Sequence, residues 1–206
     1  MNEGYMDVLR SIASSEPTPG GGSVAALSLA HAHSLSLMVA RLTLAKEKWA
    51  EGHDAAKASI ELSEPGLEEA ILLAISDSEA FESVMSAYRL PKETEDEKIQ
   101  RSEEIRKATI GAALAPLNTA SSAQKLLSNL EKQSASCNPN ALTDLASASE
   151  MALSAAKIAS LNVRINLEYI EGEDVDLLTS KINTVVVQSI ESANIVATTV
   201  NKRLEW

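Results

Sequence analysis

Residues 17–46 read PTPGGGSVAALSLAHAHSLSLMVARLTLAK, and the change of character inside this stretch decides the fold class. Two prolines and three glycines forbid regular structure up to Gly22. Beyond it, Ser23 reads as the N-cap of a long helix reaching about Lys46. That helix is built of Ala, Leu and Ser. The rest of the chain matches: 31 Ala and 26 Ser in 206 residues, with only 3% aromatics. A sandwich or barrel needs β-branched and aromatic residues at period two, whereas Ala has the best helix propensity. The expectation is an all-α fold, a bundle of long helices in one domain over 1–206. Small-residue faces that let helices approach closely favour packing against a second copy, so a homo-oligomer is expected.

Working outward, Tyr5, Val8, Leu9 and Ile12 space as one face of a short amphipathic helix before the loop. After the long helix, a second is expected from about Pro65 to Tyr88, closed by Pro91. The charged run Glu93 to Arg106 starts a third, which Pro116 should kink or interrupt. Asn138-Pro139-Asn140 is a turn, followed by a helix to about Ile170. Gly172 breaks the chain before a last helix from Asp174 to Glu205.

The net charge of −11 argues against nucleic acid, whose affinity depends on neutralising phosphates with Lys and Arg. A single cysteine, Cys137, excludes an internal disulfide framework, and no Cys/His spacing suits zinc, so no metal is expected. Ser23–Leu44 is interrupted by His31, His33, Ser34, Ser36 and Arg41, which reads as too polar for a membrane span. With no signal-peptide pattern, the chain is expected in the cytoplasm.

Four places attract chemistry. Gly20, Gly21 and Gly22 leave the backbone bare ahead of a helix N-terminus, where N–H groups favour an anion or a carbonyl; a tight connection explains them equally well. Asp77 has Leu73, Ala74, Ala80, Phe81 and Val84 as its helical neighbours. It is therefore a carboxylate in an apolar stripe, either a buried structural Asp or a general acid–base with a raised pKa. Asp144 reads first as a first-turn acidic residue. Asn162 and Asn166 share a face and either pair across helices or hold a heterocycle edge. Lys92 and Arg101 lie on a solvated face or meet an anion. His31 and His33 point apart and share no metal.

Several of these pieces recur together. Pro17-Thr-Pro-Gly-Gly-Gly-Ser-Val-Ala-Ala-Leu27, Met38-Val-Ala-Arg-Leu-Thr43, Asp77-Ser-Glu-Ala-Phe81 and Ala87-Tyr-Arg-Leu-Pro-Lys92 with Glu97-Lys98 and Arg101 come in this order. Thr143-Asp144 and Asn162-Val-Arg-Ile-Asn-Leu167 follow. In this order they resemble the cyclodeaminase/cyclohydrolase family of folate enzymes, from about residue 17 to 170. The resemblance implies a dimeric, all-helical enzyme acting on the N5–N10 one-carbon unit of tetrahydrofolate, with no cofactor beyond its folate substrate. Two reactions are implied: ring opening of methenyl-tetrahydrofolate by water, towards which the lack of a transferase half tilts the reading, or ring closure of formimino-tetrahydrofolate with loss of ammonia. By the same resemblance Asp77 is the acid–base, and Gly20–Gly22 with Ser23 contact the pterin or the reacting group. Asp144, Asn162 and Asn166 are pterin-side candidates, and Lys46, Lys92 or Arg101 meet the glutamate carboxylates. Alanine at 45 departs from the family's Leu-Thr-x-Gly-Lys. Competing readings are a non-catalytic helical interaction module and a bundle binding another anion at the glycine loop.

Overall fold

The computed structural model describes residues 3–206. Its described residues form six α-helices and no strand: α1 (Glu3–Ile12), α2 (Gly21–Leu44), α3 (His53–Tyr88), α4 (Glu95–Ser136), α5 (Leu142–Leu167) and α6 (Glu173–Leu204). Short 3₁₀ turns at Glu47–Gly52 and Pro139–Ala141 join α2 to α3 and α4 to α5. Helices α2, α3, α4 and α5 run alternately up and down around a common core, each packed on the next and α5 closing on α2; α6 lies along α4 and α5.

The composition explains the packing. Buried Ala25, Ala26, Ala32, Ala70, Ala113 and Ala159 let backbones come close, and Leu29, Leu126, Leu127, Leu130, Leu142 and Leu145 fill the remaining volume. Each such leucine contributes roughly 1.5–3 kcal/mol relative to exposure. Ser36, Ser63 and Gln133 form a polar cluster inside the core. Gln133 accepts from the Ser36 hydroxyl at 3.2 Å and donates to the Ser36 carbonyl at 3.1 Å, and Ser63 donates to Ser36 at 3.4 Å. At the α4–α5 turn, the Asn138 amide donates to the Thr43 hydroxyl at 3.0 Å, and Arg203 of α6 donates to the carbonyls of Ser134 and Cys137 at 2.7 Å each.

Three expectations about the helices need correction. Gly20, not Ser23, is the N-cap of α2, and Ser23 lies inside the first turn with its side chain directed at α3. Helix α3 begins at His53 rather than near Pro65 and continues through that proline. Helix α4 runs 42 residues with Pro116 inside it, so the proline does not interrupt the helix. The start of α4 is well specified: Thr94 and Glu97 form a reciprocal capping box, with Glu97 accepting from the Thr94 and Glu93 amides at 2.9 and 2.8 Å. Those bonds hold the Glu97 carboxyl below its ordinary range.

Helix α2 is also long and apolar enough to cross a membrane, against the expectation drawn from its polar residues, although 61% of its most apolar window is buried inside the bundle. Its apolarity therefore serves the core.

The helices differ in length, and the difference makes a step. α2 begins at Gly21 with Gly22 facing Asp77, in the last third of α3, and α5 ends at Leu167, just past the level of Ala112 on α4. Beyond that level, the last part of α3 and the first part of α4 continue as a two-helix arm of about 15 Å.

Candidate active site

The step is where the chemistry-bearing residues converge. Gly22 is buried, and a Cβ there would lie 2.7 Å from Oδ2 of Asp77 and closer still to the rest of its carboxyl. Only glycine allows α2 to pass so close to this side chain. The Ser23 hydroxyl sits 3.0 Å from Asp77 Oδ2, 3.2 Å from the Ala74 carbonyl and 3.2 Å from the Ser78 hydroxyl. Burial pushes the Asp77 carboxyl above the ordinary carboxylate range, while the Ser23 hydroxyl and backbone N–H pull it part of the way back. No cation takes part in this balance. The result is a carboxylate near a helix N-terminus, poised to exchange a proton.

Asn162 of α5 closes another side: its amide lies 3.6 Å from where a Gly21 Cβ would stand, and its Nδ2 donates to the Ile158 carbonyl at 3.0 Å. Asn166 has a different task. Pro116 has no N–H to give the Ala112 carbonyl, one turn earlier on α4. Asn166 Nδ2 donates to that carbonyl at 3.0 Å and to the Asn162 carbonyl at 2.9 Å. Both of its amide hydrogens are used by the backbone, leaving only Oδ1 for a ligand.

A cleft of about 710 Å³ opens between the two helices of the arm; Ser76, next to Asp77 in the chain, lines it, whereas Asp77 itself does not. It is lined from α3 by Ser76, Glu79, Ala80, Glu82, Ser83 and Ser86, and from α4 by Glu104, Lys107, Ala108 and Gly111. A Cβ at Gly111 would meet only open space. The sequence reading missed Ser78 and Lys107. Ser78 follows Asp77 directly, and the spacing of Glu104 to Lys107 (i+3) and Ala108 (i+4), with Gly111 four beyond Lys107, is the signal that places Lys107 on a face with small residues.

The remaining candidates lie elsewhere. Lys46 is 23 residues along from Ser23, about 35 Å away along α2. Its carbonyl accepts from His53 Nε2 at 3.3 Å at the opposite end of the bundle. Asp144 occupies the first turn of α5 at that same far end, 18 residues or about 27 Å from Asn162. Lys92 is exposed in the α3–α4 connection. Arg101 stacks over Tyr88 at 5.4 Å and donates to the Tyr88 carbonyl at 3.0 and 3.3 Å, finishing the end of α3. Within one chain, then, Gly20–Ser23, Asp77, Asn162 and Asn166 come together, and Lys46 and Asp144 do not join them.

The two histidines have separate roles. His31 is exposed, with Nδ1 2.7 Å from the Leu27 carbonyl and Nε2 3.4 Å from the Tyr5 hydroxyl; a proton on Nδ1 satisfies both contacts. His33 is buried with neither nitrogen bonded, its ring seated where a Gly66 side chain would stand. Burial pushes it down to about 4. Among the described residues no cluster of His, Cys, Asp or Glu has the makings of a metal site.

The family profile described as formiminotransferase-cyclodeaminase matches residues 5–183. A methenyltetrahydrofolate cyclohydrolase from Methylorubrum extorquens is 37% identical over 166 residues, covering 80% of this chain and 79% of that protein. The formimidoyltransferase-cyclodeaminase of Gallus gallus is 27% identical over 90% of this chain, which spans only 34% of that longer protein. The crystal structure of formiminotetrahydrofolate cyclodeaminase from Thermotoga maritima superposes on the whole chain with a TM-score of 0.86 at 26% identity, covering 98% of that chain.

Proposed function

The chain belongs to the formiminotransferase-cyclodeaminase family, and from that premise we propose that it is a methenyltetrahydrofolate cyclohydrolase with Asp77 as its single acid–base. The observation that carries this reading is the Asp77 carboxyl, raised by burial and seated against Gly22 and Ser23 beside the cleft. The Methylorubrum extorquens relative, 37% identical against 26% for the Thermotoga maritima cyclodeaminase, carries the hydrolytic activity in its name, which favours water over ammonia chemistry.

In this reading Asp77 takes a proton from water as the water oxygen bonds to the cationic methenyl carbon. The tetrahedral carbon then collapses: its hydroxyl loses a proton to solvent, one ring C–N bond breaks, and that nitrogen takes the proton back from Asp77. One proton is released per formyl product, and every step is heterolytic, so no metal or redox cofactor is required. A carboxylate near a cationic carbon also stabilises it electrostatically. The pterin edge lies against the backbone of Gly20–Gly22 and the free Oδ1 of Asn166, with Asn162 next to Gly21. The rest of the folate follows the cleft towards Lys92 and Arg101 at the arm's tip.

The second reading, cyclodeaminase, is favoured by the structural likeness to the Thermotoga maritima enzyme. It uses the same carbon and the same proton exchange. The enzyme acts as a homodimer in the cytoplasm: α1 buries none of its residues and leaves Tyr5, Met6, Val8 and Leu9 substantially exposed, and α2 adds Met38 and Leu42. A second copy covers this apolar face. Near-ultraviolet absorbance separates the readings. Faster loss of the methenyl chromophore marks the cyclohydrolase, and its growth from formimino-tetrahydrofolate with ammonia release marks the cyclodeaminase. Neither change above the uncatalysed rate removes the catalytic assignment and leaves an interaction module.

A further inference from the structure

Ser23 was expected to touch substrate, yet it is 1% exposed. Its hydroxyl has one hydrogen and two lone pairs, and three polar atoms surround it: Asp77 Oδ2, the Ala74 carbonyl and the Ser78 hydroxyl, all within 3.0–3.2 Å. These partners permit two complete arrangements. With Asp77 ionised, Ser78 donates to Ser23 and Ser23 donates to Asp77. With Asp77 protonated, Asp77 donates to Ser23 and Ser23 turns its hydrogen to the Ala74 carbonyl, which has a second lone pair beyond its helical bond. No heavy atom moves between the two.

We propose that Ser23, assisted by Ser78, is a positioning residue that keeps Asp77 in one place through both of its protonation states by rotating a single hydroxyl hydrogen. The proposal rests on Asp77 being the acid–base and adds how a lone carboxylate takes up and returns a proton without swinging away from its substrate. The proton balance closes within the reaction: what Asp77 accepts from water it gives back to the leaving nitrogen. Ser23 only changes which neighbour its own hydrogen faces.

The surroundings leave this hydroxyl as the adjustable element. α2 presents Gly22 and Ser23 to the carboxyl, and the uncharged Asn162 of α5 lies beside Gly21. The titratable groups on the cleft side are Glu79 and Glu82 from α3 with Glu104 and Lys107 from α4. Burial raises the Asp77 carboxyl and the bonds from Ser23 lower it.

The test compares wild type with Ser23→Ala, Ser23→Thr and Ser78→Ala by ¹³C NMR titration of the Asp77 carboxyl and by the pH profile of kcat with methenyl-tetrahydrofolate. In Ser23→Ala the Asp77 midpoint rises by about one pH unit and the kcat profile moves with it. There kcat falls about tenfold while KM stays within about a factor of two. Ser23→Thr, which keeps the hydroxyl, restores the wild-type midpoint. Ser78→Ala shifts it in the same direction by less, and decides the matter if Ser23→Ala does not fold. An Asp77 midpoint unchanged in the folded variants overturns the proposal. Absence of wild-type turnover removes the enzymatic reading instead, and the titration still reports separately on the hydroxyl.

Discussion

Asn166 supplies the hydrogen bond that Pro116 cannot. The proline lies in the middle of the 42-residue α4 and leaves the Ala112 carbonyl without its helical donor, and the Asn166 amide of α5 reaches that carbonyl at 3.0 Å. A missing helical hydrogen bond is thereby turned into an interhelical tie beneath the step.

Asn166→Ala should therefore lower stability by about 1–3 kcal/mol, the range for stranding a buried polar group. Pro116→Ala restores an N–H for Ala112, so the Asn166→Ala loss should shrink below about 1 kcal/mol in that background. Urea unfolding of the four proteins of this cycle measures it. Equal losses in both backgrounds show that the tie does not act through the orphaned carbonyl.

Gly22→Ala gains up to about 1 kcal/mol of helix propensity but drives a methyl group into the Asp77 carboxyl. Turnover should fall by about a hundredfold or more, and the thermal midpoint should drop despite the better helix former. Absorbance assays beside thermal unfolding check this. Wild-type turnover in Gly22→Ala rules out close approach as the reason for glycine.

Asp77→Asn keeps the shape, accepts the Ser23 hydrogen and removes a half-buried charge. Its kcat should fall by about 10²–10⁴-fold with the thermal midpoint equal to wild type or above it. A variant that remains active takes the acid–base role away from this residue.

The imidazole of His33 is held at about 4, against 6.5 ordinarily. The unfolded chain thus binds a proton that the folded one refuses. Stability from this group is complete above about pH 6.5 and is lost as pH falls towards 4, by about 3 kcal/mol in all. His33→Gln, compared with wild type by urea unfolding at pH 7 and pH 4.5, should flatten that dependence. An unchanged slope assigns the acid sensitivity to other groups.

What could be read in advance follows a physical divide. Helical class, the break before α2 and the apolar stripe around Asp77 are local patterns, and the chain states them. Pro65 and Pro116 misled because a proline's effect depends on what lies alongside: with Asn166 against Ala112, the helix tolerates the loss. Ser23 followed the same logic, since a serine after glycines is a cap until a carboxylate faces it. Lys46 and Asp144 share motifs with the site but lie a bundle's length away, and spacing along the sequence carries no record of that distance.

One pair of contacts has a consequence for how α2 and α3 find each other. Gly22 on α2 receives Asp77 of α3, and Gly66 on α3 receives His33 of α2. The two contacts are eleven residues apart on each helix, about three turns and 16 Å. Each is a side chain lodged in a notch on the other helix of the hairpin, and the notches face opposite ways. Sliding one helix past the other by a single turn withdraws both side chains at once and leaves two notches empty with two polar groups jammed against alanine. The pair thus works like a key cut on both edges, fixing the register of two helices whose alanine surfaces alone would permit several. An insertion of one residue between Gly22 and His33 should therefore break the alignment at the active step even though it touches no group there.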